Sequence, residues 1–335
     1  MVKHLPPSIK HLLTLRNPQS FAGPPVPKLN GILNSTFADA RSRKAETGWL
    51  VLTTCTLLTA NVPSSVGHLY RFATRSDPSD AASRRSVSEA VDKAALMRES
   101  ALKATIFTGV PRTIMALAGL MEALEGDVKG QLRTDSHRYA YVVFSRAAAR
   151  TAIHAPTVCV CEENDDDSPI FVCRTVNPEK IDATLARGMA LWNSIYEPHA
   201  KKLYDKLGSY HPDFICASAV PFPADCQMLI MCPFLAFIIQ AYGSVLSPLP
   251  GDGEQGNLSR ALGSVVGVAC LRAEGHVGPQ LTSHVFGLLK ARNVENLSDE
   301  DRWLSTDEGT EWVIHTIDSL LDVVQPENAA VGTKL

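Results

Sequence analysis

The sequence predicts an all-α fold, a helical bundle made of two pseudo-symmetric repeats. Three observations carry that expectation. Apolar residues recur at helical spacing over long stretches, no sustained alternation of strand type interrupts them, and two histidine-centred segments 216 residues apart can be laid over each other.

The chain starts with an acid-free stretch. Lys3, Lys10, Arg16 and Lys28 precede the first acid, Asp39. A basic, acid-free start is a feature of organelle transit peptides. Pro6, Pro7, Pro18, Pro24, Pro25 and Pro27 interrupt the amphipathic helix such a peptide needs, so residues 1–39 read as a Pro-rich basic arm on the domain surface. An apolar helix follows over 49–60, carrying Cys55. Ser86-Val-Ser-Glu89 has the form of a capping box, with Val91, Ala95, Leu102 and Ile106 at helical spacing behind it. Gly109 lets the chain turn, and Pro111 stands where the first turn of the next helix, 112–124, should begin. Ile181, Leu185, Leu191, Trp192, Ile195 and Leu203 mark helix over 178–207, and Val313, Ile317, Leu320, Leu321 and Val324 mark a last one.

The repeat rests on Pro63-Ser-Ser-Val-Gly-His68-Leu-Tyr70 and Pro279-Gln-Leu-Thr-Ser-His284-Val-Phe286. Each follows an apolar helix with one cysteine, Cys55 in the first copy and Cys270 in the second. The shared plan is apolar helix, short turn, proline at the next helix start, then histidine with an aromatic two positions on.

Composition narrows the function classes. The 335 residues are 45% hydrophobic and 20% charged, enough apolar material for a sizeable core. A net charge of −3 lacks the basic excess of a nucleic-acid binder. Eight cysteines are too few for a disulfide-stapled scaffold, and no charged, apolar and small-residue succession marks a secretory signal. The uncharged stretch between Asp225 and Asp252 is long enough to span a bilayer, but Pro233, Gln240, Gly243, Pro248 and Pro250 spoil it, so a membrane partner is not expected. The expected location is intracellular, cytoplasmic by default. The basic arm offers a mitochondrial alternative and Thr333-Lys334-Leu335 a peroxisomal one.

The stretch Glu99-Ser-Ala-Leu-Lys-Ala-Thr-Ile-Phe107-Thr-Gly109-Val-Pro111-Arg-Thr-Ile-Met-Ala-Leu117, with His68 and His284, resembles the carboxymuconolactone decarboxylase-like family, whose fold is that of the alkyl hydroperoxidase D-like proteins. The wider pattern of Gly48-Trp49, Trp192, Tyr196-Glu-Pro-His199 and His211-Pro-Asp resembles fungal members. The resemblance covers about residues 45–125 and 178–325. It implies a two-repeat bundle, self-association through helices, and one of two chemistries, acid/base decarboxylation or thiol-dependent peroxide reduction. The second needs a Cys-x-x-Cys pair before the histidine. Asn61 and Ser64 stand there before His68, and Val277 and Gln280 before His284, which excludes it.

Acid/base chemistry stays open. His68 with Glu99 supplies an imidazole that titrates near neutrality and a carboxylate to orient it, with His284 the corresponding histidine of the second repeat. Lys103 and Arg112 can receive a small anionic organic substrate. The alternative is plainer: such histidines are more often hydrogen-bonded core residues, and the cations solvated helix charges. Gly109, Pro111, Pro63 and Pro279 are structural under either reading. Cys55 and Cys270 read as isolated small hydrophobes rather than a redox couple, and no spacing supports a metal site or a cofactor. The leading functional expectation is therefore an acid/base enzyme of decarboxylase-like type, and the alternative is a non-catalytic helical assembly module that kept the fold and lost the chemistry. In both a homo-oligomer is expected.

Six cysteines fall in two stretches that break the resemblance, 139–173 and 216–236. Both can be encoded with splice-site sequences at their ends (Arg138-Tyr-Ala and Cys173-Arg174; Cys216 and Leu235-Ala236) and read as retained introns, the alternative being genuine inserted loops. The expected map is an arm at 1–39, a first repeat at 40–125, a disordered linker at 126–177, a second repeat at 178–325 and a tail at 326–335.

Overall fold

The computed structural model describes residues 7–16, 23–134, 140–144, 158–161, 171–175, 178–210, 237–249 and 255–325. Its contacts divide the chain into two compact units, Met1–Leu132 with Gln255–Leu335, and Arg133–Glu254. The chain is mainly helical, as expected. The division differs from the expected map: the span 178–325 is shared between both units, and the stretch taken as a linker opens with a helix of the first.

In the first unit, α1 (Pro7–Arg16) is followed by α2 (Val26–Ser42), α3 (Glu46–Thr59), α4 (Pro63–Thr74), α5 (Val87–Thr108), α6 (Val110–Ala123) and α7 (Gly126–Gln131). The expectation of a surface arm over 1–39 fails in its second half. Pro25 caps α2 and Pro27 sits in its first turn, where a missing N–H costs nothing, so these prolines open a helix instead of breaking one. Leu29, Leu33, Thr36 and Ala40 then bury one face of α2. Trp49 of α3 donates its indole N–H to Thr36 at 3.0 Å, and Phe37, Trp49 and Phe72 form an aromatic trio with centroids 4.8 to 6.0 Å apart.

Every residue of α3 from Gly48 to Thr59 is buried. Thr54, Thr56 and Thr59 return their hydroxyls to carbonyls one turn back, at 2.7 to 2.8 Å, whereas the Thr53 hydroxyl is buried without a hydrogen-bond partner. Half of the capping box before α5 forms: Ser86 accepts from the Glu89 N–H at 3.1 Å, while the Glu89 carboxylate pairs with Arg85 and Lys93. Gly109 ends α5 at φ 84°, a conformation that favours glycine, and Pro111 opens α6.

The unit is completed by the four helices of its C-terminal part. These are α11 (Arg260–Glu274), α12 (Gly278–Lys290), α13 (Asp299–Leu304) and α14 (Asp307–Val324), the numbers α8 to α10 belonging to the second unit. Helices α3 and α11 pack on each other at the centre, and α5 and α14 cover both. Around them α4 lies on α6, and α12 on α11.

The second unit holds α8 (Pro178–Tyr196), α9 (Ala200–Tyr210) and α10 (Phe237–Ala241), the last running into a π-helical turn over Tyr242–Leu246. Helix expected without a break over 178–207 is divided at Glu197-Pro198, since proline cannot continue the ladder. Trp192, Tyr196 and Tyr242 cluster here, the two tyrosine hydroxyls 2.8 Å apart. Three short antiparallel strands also belong to this unit, β1 (Ala140–Phe144), β2 (Val158–Cys161) and β3 (Phe171–Thr175), in the order β1-β3-β2. They correct the reading of this stretch as unstructured. Tyr, Val and Phe favour strands, and runs of four or five residues are too short to announce themselves by alternation. The rest of 139–173, and 216–236 entirely, lie outside the described residues, as does the tail at 326–335.

Candidate functional site

His68 sits on α4, five residues after the proline that opens the helix, and is 9% exposed. Its Nε2 lies 2.6 Å from Oδ1 of Asn30 on α2. An amide oxygen only accepts, so Nε2 carries the proton. Burial, and then the nearby Arg71 charge, lower the imidazole pKa from its ordinary value, which keeps the ring neutral at pH 7. Glu99 is not its partner: it pairs with Lys103 one turn along α5, Oε1 to Nζ 3.4 Å. The expected His68–Glu99 pair is therefore not assembled. Asn30 was missed because it lies in the proline-rich segment. The signal was there in Leu29, Leu33 and Phe37, which follow Pro25 and Pro27 at helical spacing.

Glu99 and Lys103 are 3% and 0% exposed. Phe107 follows one turn later on the same face of α5, and its ring meets that of His284 edge-on, centroids 5.0 Å apart. His284, on α12, has room because Gly267 of α11 lacks a side chain: a Cβ there would stand 2.7 Å from the ring Nδ1. Burial, with a smaller push from Arg260, lowers the His284 pKa to about 4. It is thus His284, which the sequence left without an acid partner, that adjoins the face of α5 bearing Glu99 and Lys103.

The cations expected to receive an anion are committed elsewhere. Lys103 is sealed in its ion pair, and Arg112 binds the Glu274 carboxylate and, at 3.1 Å, the Thr59 carbonyl oxygen. Pro63 and Pro279 occupy the first turns of α4 and α12, in the structural role expected of them, as Gly109 and Pro111 do around α6.

The cysteines correct another expectation. Cys55 and Cys270 are 215 residues apart in sequence, but the packing of α3 on α11 brings their thiols close to each other, both fully buried. Burial pushes the Cys55 thiol well above its ordinary pKa, so it stays protonated and is a poor nucleophile. Its Sγ also lies 3.9 Å from the Ser100 carbonyl oxygen on α5. The core thus holds a polar seam of two thiols, an ion pair and a neutral imidazole, contributed by α3, α11, α5 and α12.

A separate cavity of about 240 Å³ is lined by Leu289 of α12 and by Asp307, Thr310, Glu311, Ile314 and His315 of α14, none of them a residue singled out by the sequence. Among the described residues no three His, Cys, Asp or Glu side chains are grouped to hold a metal ion, and no helix is long and apolar enough to cross a membrane. Comparison with known proteins leaves the family open: no family model matches the chain, and neither a curated protein nor a solved structure matches it significantly.

Proposed function

We propose that this chain is a non-catalytic helical assembly module of the carboxymuconolactone decarboxylase-like type, which pairs with a second copy of itself through α6. The observation that carries the reading is the outer face of that helix. Val110, Ile114, Met115 and Met121 are 57%, 59%, 44% and 39% exposed, while Thr113, Ala116, Leu120 and Ala123 bury the opposite face. A helix apolar on both faces needs cover on both.

The spacing fits a second copy. In an antiparallel pair centred near Leu117, Ile114 of one copy lies beside Met121 of the other, with Ala118 small enough at the crossing to let the helices approach. In that antiparallel arrangement the helix dipoles also oppose.

Two hairpins support the two-repeat ancestry that the resemblance implies. The turns α3–α4 and α11–α12 each hold a positive-φ residue, Asn61 at 58° and His276 at 56°. Each is followed by a proline in the next helix's first turn and a buried histidine five residues later. The enclosed state of Lys103 and the amide-bound His68 support loss of the chemistry.

Light scattering on the eluting protein tests the reading. A dimer is expected for the wild type and a monomer for Ile114→Glu at the same concentration. A wild type that stays monomeric up to about 100 μM, well above the affinity of a small apolar interface, overturns it.

One observation favours a second reading, an acid/base enzyme acting on a small anionic substrate: Glu99, Lys103 and Phe107 share a face of α5 that His284 adjoins. Under that reading a panel of small lactone carboxylates raises the melting temperature of the wild type but not of His284→Gln. Absence of any shift counts against it.

A further inference from the structure

We infer that the groove between α12 and α14 is a docking site for a basic amphipathic helix of a partner protein. Helices α4 and α12 each carry a proline in the first turn, a buried histidine five residues later and an aromatic residue two positions on. Yet Tyr70 is 0% exposed and its counterpart Phe286 is 56% exposed. The difference lies in what covers each helix. Helix α6 packs along both α4 and α5, and α14 is the counterpart of α5, packed like it on both α3 and α11. Among the described residues no helix takes the place on α12 and α14 that α6 takes on α4 and α5.

The cavity of about 240 Å³ lies between these two helices. Leu289, one turn after Phe286 on α12, and Ile314 of α14 give it apolar walls. An apolar cavity of about 150 Å³ already takes benzene, so this one has room for a large apolar side chain. Ser283 stands on α12 where α4 has Gly67, so an occupant lies farther off than α6 does and reaches in with larger side chains. The rim sets its charge. Helix α14 bears five acids and no lysine or arginine. Arginines pair with Asp307, Glu308 and Asp318, but Glu311, on the cavity and 74% exposed at its side chain, has beside it only His315, at 3.5 Å, among the described residues. An apolar floor under an uncompensated carboxylate suits a helix with leucine or phenylalanine on one face and lysine or arginine at its border. The α6 of a second copy suits it less, because its one cation, Arg112, is already bound to Glu274.

Fluorescence anisotropy of labelled 14-residue peptides, the length of α6, with the full chain tests the inference. One peptide has leucines at i, i+3, i+4 and i+7 and lysines between them, a second has glutamates for the lysines, and a third scrambles the first. Saturable binding of the lysine helix is expected, weakening as salt rises from about 50 to 500 mM, with the other two at least ~10-fold weaker. Phe286→Asp and Glu311→Lys should each weaken it at least ~10-fold. Both side chains are exposed, so both variants should melt with the wild type. Ile114→Glu on α6 should leave peptide binding unchanged. The inference is overturned by no binding, by equal binding of the scrambled peptide, or by binding that neither groove variant touches. Binding lost in Ile114→Glu also overturns it, by placing the peptide on α6. So does a wild-type dimer that Phe286→Asp dissociates, by giving the groove to a second copy.

Discussion

Replacing His284 by glutamine should flatten the acid side of the stability profile. In the fold the imidazole titrates at about 4, because the ring is buried and Arg260 acts on it, whereas in the unfolded chain it titrates near 6.5. Its folded pKa is thus depressed. Near pH 7 both states are neutral at this position and the ring imposes no proton-linked cost. As pH falls below 6.5 the unfolded chain takes up the proton first, and stability is lost until pH falls through 4. At 1.36 kcal/mol per pH unit of separation, the loss reaches about 3 kcal/mol near pH 4, of which about 1.4 kcal/mol is gone by pH 5.5. Urea unfolding of the wild type and His284→Gln at pH 7, 5.5 and 4.5 measures it, since titrations common to both proteins cancel in the difference. The wild type should lose ground steadily against the variant. Two profiles parallel within about 0.5 kcal/mol would refute the reasoning and place the ring beside water or a compensating carboxylate.

Three further outcomes follow from the packing. Helices α4 and α6 cross backbone to backbone: a Cβ on Gly119 would fall well inside contact distance of the Pro63 carbonyl oxygen, and one on Gly67 would lie 2.6 Å from that of Gly119. Gly119→Ala should therefore cost about 3 kcal/mol in urea unfolding, and a cost below about 0.5 kcal/mol would show that the crossing yields freely. Asn30→Ala removes the acceptor of the His68 Nε2–H and should cost about 1–2 kcal/mol, with the Nε2 proton resonance exchanging faster. Glu99→Gln leaves the Lys103 ammonium enclosed beside a neutral amide and should cost about 3–5 kcal/mol, whereas Glu99→Leu combined with Lys103→Met should recover most of it, as thermal melts would show. A combined variant no better than Glu99→Gln alone would mean that the pair is not what these side chains chiefly serve.

The parts legible in the sequence were those governed by neighbours along the chain. The Ser86 helix cap, the Gly109 stop and the prolines opening α4, α6 and α12 are local devices whose geometry depends on a few adjacent residues. What was missed depends on contacts between distant segments. Cys55 and Cys270 seem isolated only when distance is counted along the chain, because nothing local says that two apolar helices will be the central pair. Glu99 is nearer His68 than His284 in sequence, yet the face of α5 that bears it is the one His284 adjoins, and the pitch of one helix does not reveal which neighbour covers it. The opening prolines misled for another reason. Proline breaks a helix interior but suits a first turn, and the difference is one of position, which composition does not record.

The most direct test of the central claim is disulfide trapping at the α6 crossing. Ala118→Cys puts a thiol on the exposed face of α6 close to the proposed two-fold centre, and Lys129→Cys on exposed α7 serves as the control. Mild oxidation of dilute protein should give a covalent dimer for Ala118→Cys, with little for Lys129→Cys or the wild type. Equal yields in all three, or none at position 118 while the protein elutes as a dimer, would contradict pairing through α6.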